Sequence, residues 1–281
     1  MADRPAARRG GRQGRILEII YGHYKEALDA LPLEYIPALA PHLLDAGVCF
    51  GFADPVTNII ANTIHFIPDE DGEPDPSCAK KRKRKRTTKT NALSGARVRE
   101  EVLSKIIAVS DVPSPPKEPT IAERSLKGLI IFLTTYFRHL PTPDALRYLC
   151  LAGADLLVAV RLIELDRCCL RRKDKFCTNS HATKVALNCA GLSAGLPMVE
   201  SFLSGMSGLV SHLKSITQTV AAETRRHLSV QDIYVLSGLL KKPLEFDKSD
   251  NPMGIAALRI PPASIEKVSV ELTVAERRSP R

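Results

Sequence analysis

The sequence predicts an all-α fold: a single irregular multi-helix domain, interrupted by a disordered charged insertion and followed by a partly disordered C-terminal tail. Three observations carry that reading. Apolar residues recur at three- and four-residue spacing across most of the chain, the period of a helix with one buried side. Helix-start signals precede those runs, as in Asp54-Pro55, Thr120 with Glu123, and Ser229 with Asp232, where a short side-chain oxygen meets the first free backbone N–H groups. Strand and helix patterns nowhere alternate in the way that builds a parallel sheet.

Residues 1–14 read as a disordered basic N-terminus and 15–67 as a first helical segment. In "RILEIIYGHYKEALDAL", Ile16, Ile19, Ile20, His23, Tyr24, Ala27 and Leu28 share one helix side. A short helix follows at "IPALAPHLLDAG", ended by Gly47. The third lies in "FADPVTNIIANTIHF", with Asp54 as N-cap and Pro55 at the first position, where its missing N–H costs nothing. No period survives from Pro68 to Asn91, so 68–93 read as a disordered acidic and basic insertion.

The main helical segment, 94–242, is expected to pack with the first. It opens with "LSGARVREEVLSKIIAVS", stopped by the proline-rich "DVPSPPKEP". Leu126, Leu129, Ile130, Leu133, Phe137 and Leu140 mark one side of the next helix. "LPTPDALRYLCLAGADLLVAVRLIEL", with Thr142 as N-cap, reads as one central, mostly buried helix. Gly191, Gly195, Gly205 and Gly208 then let helix backbones approach closely, and a last helix runs from Ser229 to Leu240. In the tail, 243–281, Val268, Val270, Leu272 and Val274 alternate with polar residues, the pattern of an edge strand that could pair with "IAALRI" in a short hairpin.

Composition narrows the class. Of 281 residues, 44% are apolar and none is Trp, so the core is aliphatic. The net charge of +9 is local: Lys80–Arg86 supplies +7 and residues 1–15 supply +4, which leaves −2 for everything else. A fold that grips nucleic acid keeps a basic face on its body, and this distribution argues against one. The seven cysteines are an odd number in a chain without a secretory signal at its start, so they read as reduced thiols. No charge-free stretch of about 18 residues predicts a membrane span.

"RILEIIYGHYKEALDALP", "LLDAGVCFGFADPVTNIIANTI", "SLKGLIIFLTTYFRHLP" and "ALRYLCLAGADLLVAVRLIELDR" resemble a plant family, expanded in grasses, of PIR-like helical-domain proteins. The resemblance covers 15–66 and 121–215. It implies a helical fold and brings no catalytic or binding residue with it. The C-terminal residues, about 60 of them, are unlike the family.

Candidate chemistry is sparse. Gly191-Leu-Ser193-Ala-Gly195 fits the G-x-S-x-G turn that lifts a nucleophilic serine above a sheet, but that turn needs a strand before it and a sheet around it. Its triad partners would have to be Glu223 and His227, which the sequence places in one helical segment. Ser211 and Lys214 fit S-x-x-K, and Ser249-Asp250-Asn251 fits S-D-N, without the third element of penicillin-recognising enzymes. Cys168, Cys169, Cys177, His181 and Cys189 lie within 22 residues, but no C-x₂₋₄-C knuckle is among them. Arg167, Arg171, Arg172, Lys173 and Lys175 would favour a thiolate nearby, which makes Cys177 the second neighbourhood to inspect. No cofactor, metal or enzymatic activity is expected.

The site predicted from sequence is the basic run itself: Lys80, Lys81, Arg82, Lys83, Arg84, Lys85 and Arg86. A short dense run on a flexible loop is what a nuclear-import receptor reads. It also has some affinity for phosphate, yet no aromatic residue lies between Phe66 and Phe132 to stack bases. Asp69, Glu70, Asp71, Glu73 and Asp75 compete with phosphate from next door, and phosphorylation of Thr87, Thr88 or Thr90 would offset the positive charge. The expectation is a non-enzymatic nuclear protein, with the cytoplasm second, whose helical body binds a protein partner. The alternative is a nucleic-acid-associated protein using Lys80–Arg86 as an unspecific electrostatic arm.

Overall fold

A computed structural model describes residues 11–66, 91–107, 118–167, 176–223 and 227–242. The first helix, α1 (Arg12–Ala30), begins three residues before the expected segment and buries Ile16, Ile20, Tyr24, Ala27 and Leu28. After a short connection comes α2 (Leu39–Ala46), then a buried connector, Gly47 to Ala53, then α3 (Pro55–His65). Asp54 caps α3 as expected, its Oδ1 accepting from Thr57 N at 3.0 Å.

Helix α4 (Asn91–Ile107) starts three residues inside the stretch read as insertion. The capping box of Thr120 and Glu123 opens α5 (Ile121–Tyr136). The next stretch departs from expectation. Instead of one helix there are two, α6 (Thr142–Leu151) and α7 (Leu156–Arg167), and Pro141 rather than Thr142 is the N-cap of α6. The break lies at Gly153 and Ala154, both left-handed with φ 62° and 61°. It is held by the Ala154 N–H donating to Leu149 O at 2.8 Å and by Asp155 Oδ1 accepting from Leu157 N and Val158 N.

The chain continues as α8 (His181–Ser193), α9 (Val199–Ser211), α10 (Leu213–Glu223) and α11 (Val230–Lys241). Gly195, φ 64°, makes the left-handed turn after α8 that glycine adopts without penalty. The expected capping box of Ser229 and Asp232 begins α11, whereas the helical segment expected around Glu223 and His227 is α10, which ends at Glu223.

The protein is all-α, with no β-strand among the described residues. One continuous hydrophobic cluster runs from Ile16 to Leu240. The central helix is α3, not the α6–α7 stretch: every residue from Pro55 to Ile64 is buried, surrounded by α1, α2, α9 and α11. Close packing explains two of the glycines. A Cβ on Gly208 would sit 2.1 Å from Leu240 O, and one on Gly205 would sit 2.8 Å from the His65 ring. The most extensive helix pair is α5 with α8, tied at one end by Arg124. Its guanidinium donates to Leu44 O and Asp45 O at the end of α2, and to Ala194 O and Gly195 O at the end of α8. Carbonyls at helix ends lack intrahelical partners and carry partial negative charge, so one cation serves both termini.

Candidate functional site

Several polar side chains are buried inside the body, among them Asn58, Asn62 and Ser125. A buried connector must have its backbone N–H and C=O groups satisfied from elsewhere, and α3 supplies two asparagines for Gly47–Ala53. Asn58 accepts from Ala53 N at 3.1 Å and donates to Ala53 O at 2.7 Å and Cys49 O at 3.3 Å. Asn62 donates to Val48 O at 2.8 Å. From the other side, Cys49 N donates to Ser125 Oγ at 3.1 Å, the Ser125 and Tyr24 hydroxyls pair at 2.8 Å, and Tyr24 donates to Gly47 O at 2.8 Å. Burial pushes the Tyr24 hydroxyl well up and the Cys49 thiol up to about 12. Both stay neutral, and a neutral thiol is a poor nucleophile. This network holds a loop.

The Asp155 carboxyl, the cap of α7, is pushed up to about 7 by burial, with Asp54 adding to the shift and the N–H of Val158 opposing it. His23 Nε2 lies 2.9 Å from Gly153 O beside it. The nearby Cys49 thiol, raised by burial and in part by the Asp155 charge, stays protonated.

One serine–histidine contact has the reach of a catalytic pair: Ser201 Oγ and His65 Nε2 are 3.2 Å apart. His65 Nδ1 is buried without a partner. For Nε2 to accept the serine proton, Nδ1 must carry a hydrogen, leaving a buried donor unpaired at a cost of about 1–3 kcal/mol. The other tautomer leaves only an acceptor unpaired and makes Ser201 the acceptor, the reverse of base catalysis. Burial also holds the His65 pKa down. The pair packs α3 against α9.

The residues singled out from sequence scatter. Lys80–Arg86, the acidic residues before them, Thr87, Thr88, Thr90, Cys168, Cys169 and the expected tail hairpin lie outside the described residues. Ser193 ends a helix, α8, so the strand a nucleophile turn requires is replaced by helix. Glu223 ends α10 and His227 stands beyond it, its Nδ1 on Asp29 O, so the two do not share a helix. Ser211 donates to Ser207 O within α9. The Cys177 carbonyl accepts from the Thr183 hydroxyl at 2.6 Å. Among the described residues, no three His, Cys, Asp or Glu side chains stand close enough to hold a metal, and no helix is long and apolar enough to cross a membrane.

The remaining candidate is a surface. On α8, Ala182, Val185 and Leu192 are exposed and Cys189 half-buried, at the 3-4-3 spacing that aligns side chains along one side of a helix. Leu192 is 64% exposed, Val185 41%, and Met198, at the start of α9, 59%. The adjoining α9 presents Ser204 and Ser207 to solvent, with Glu200 as its one charged side chain. Charge thins out across this region. The 59 described residues from His181 to Lys242 include seven charged ones, against 26 in the 123 from Gly11 to Arg167. The signal was present in the sequence as the 182-185-189-192 spacing. It was obscured because Ala186, Leu187 and Ala190, equally apolar, face the core.

These observations define an irregular α-helical protein built around a helix buried from Pro55 to Ile64 and a side-chain-hung connector. The chain belongs to the PIR2-like helical-domain family, whose profile matches residues 18–164, just over half its length. That match bridges the charged insertion and ends at Glu164, whereas the resemblance seen in the sequence skipped the insertion and ran on to 215. No curated protein and no solved structure matches the chain.

Proposed function

We propose that this chain is a non-catalytic helical interaction module, carried into the nucleus by Lys80–Arg86, with the outer side of α8 and the start of α9 as its docking surface. The observation that carries the reading is the row of exposed apolar side chains, Val185, Leu192 and Met198, in the charge-poor part of the molecule. Interface cores are depleted of charged side chains in the same way. The described body carries 16 Lys and Arg against 17 Asp and Glu, which favours a protein partner over a polyanion.

The test pairs location with binding. A fluorescent fusion is expected to concentrate in the nucleus and to equalise across the envelope when Lys80–Arg86 are replaced by Ala; an unchanged distribution sinks the import reading. A salt series of binding to duplex DNA separates the alternative. Full engagement of the run gives a log–log slope near 6 for seven phosphates. Tight binding at physiological salt, lost in the Ala variant, would make the run a nucleic-acid arm instead.

A further inference from the structure

We propose that the chain's own segment Val268–Val274 lies along the outer side of α8 and the start of α9 in the free protein, so that a partner must displace it. The proposal rests on the interaction reading of the same surface and names what regulates it. Three observations carry it: where the chain leaves the body, how much chain follows, and the pattern of that chain.

Lys242 is the last described residue. His212 Nε2 donates to its carbonyl at 2.9 Å, and His212 is the C-cap of α9. The end of α11 is pressed against α9 as well, where the Leu240 carbonyl leaves Gly208 no room for a Cβ. Residues 243–281 therefore set out from one end of α9, and Met198 stands at the other. The 13 residues of α9 between them amount to about 20 Å. The end of α8 packs beside that far end, since a Cβ on Gly191 would sit 3.1 Å from Val199. The 26 residues from Pro243 to Val268 cover about 25–30 Å even as a flexible coil, so the segment reaches the surface without being stretched.

Its pattern suits the surface. Val268, Val270, Leu272 and Val274 fall on one side of an extended chain, and Ser269, Glu271 and Thr273 on the other. Such a ribbon, alone or paired with "IAALRI", is marginal in water and needs an apolar surface against its apolar side. Extended, Val268 to Val274 spans about 20 Å. Val185 to Leu192 is about 10 Å of helix, which leaves length for Met198. The one charge in the segment, Glu271, is opposite in sign to Lys184, the one charge on α8.

A contact of this size is weak between separate molecules, because a standard interface uses about 20–30 residues a side. A tether changes the balance. Attached to the body, the segment meets the surface at an effective concentration of about 1 mM, far above that of any second copy at micromolar protein.

A photo-cross-linker in the full-length chain tests the proposal. With p-benzoylphenylalanine in place of Leu192, irradiation at low micromolar protein is expected to join α8 to the tryptic peptide of residues 268–277 within one molecule. The capture should be lost in Val270→Asp with Leu272→Asp and kept in Ser269→Asp, on the polar side of the segment. The same label in place of Tyr35, exposed between α1 and α2, should not capture that peptide. Far-UV circular dichroism confirms that the labelled chain is folded, as the exposure of Leu192 favours. Failure to capture residues 268–277, their capture only in a cross-linked dimer, or equal capture from position 35 overturns the proposal. The interaction reading falls separately, if Val185→Asp with Leu192→Asp leaves the chain's cross-linking pattern in cells unchanged.

Discussion

Arg124 Nε donates to Ala194 O at 2.6 Å, a bond between residues 70 positions apart that joins the family segment to helices beyond it. The same guanidinium reaches Leu44 O, Asp45 O and Gly195 O. Replacing it by Ala strands four helix-end carbonyls. Some of them gain water, because Arg124 is half-buried, so the expected loss is about 2–3 kcal/mol. Lys recovers only part of it, having no planar fork to span two termini. Thermal melts of the two variants check the order wild type, Lys, Ala.

Ending the chain after Arg167 removes α8, α9 and α11, which cover α3 and α5. It also removes Phe176, whose N–H donates to the buried Glu164 at 2.6 Å. A fragment of residues 11–167 should therefore lack a cooperative unfolding transition although it contains the whole family match. A sharp melt comparable with the full chain's would show that the first seven helices stand alone.

Asn58→Leu keeps the volume but strands Ala53 N, Ala53 O and Cys49 O inside the protein. The expected cost is about 3–5 kcal/mol, read by urea unfolding. The exposed Asn188 serves as the control: Asn188→Leu should change stability by less than about 0.5 kcal/mol.

Glycines give a paired prediction. Gly208→Ala drives a Cβ into the Leu240 carbonyl and should cost about 3 kcal/mol, as overpacking does. Gly22→Ala, on an open stretch of α1 with nothing within 4 Å, should stabilise by about 0.5–1 kcal/mol through helix propensity. Differential scanning calorimetry should show opposite shifts in Tm.

Asp155 makes stability depend on pH. Its folded pKa, about 7, lies above the ordinary value of 3.8, so the folded state holds the proton more readily. Stability from this group therefore rises as pH falls from about 7 towards 4, and the ionised carboxylate is a burden above pH 7. His65, held below 6.5, acts in the opposite direction, because protonation below that pH favours unfolding. Comparing wild type with Asp155→Asn removes the His65 contribution. Asn can still cap α7, so the variant should be more stable at pH 8 by about 1–2 kcal/mol, with the gap closing near pH 4. Equal stability at both pH values would mean that the carboxyl titrates normally.

Much of this was legible in the residues. The starts of α3, α5 and α11 were readable because Asp54, Thr120 and Ser229 each cap a helix through a backbone N–H three residues on. The α6–α7 break was not, because Gly153-Ala154 sits inside an apolar run and Ala154 takes a positive φ at a cost of about 1 kcal/mol. Part of what holds that corner, His23, lies 130 positions away. "DAGVCFGFADP" stood out in the sequence as a phrase, yet nothing in its composition says that it is a connector hung from Asn58, Asn62, Tyr24 and Ser125.

By itself, then, the sequence determined that the chain is helical, where α3, α5 and α11 begin, and that its positive charge sits apart from a near-neutral body. Those properties depend on side chains within a turn or two of each other, or on simple counts. Tertiary structure decided that α3 is the central helix, that α6 and α7 part company, and that Ala182, Val185, Cys189 and Leu192 face outward while their apolar neighbours face in. Burial is a property of what surrounds a residue, and the helices that surround α3 come from both ends of the chain.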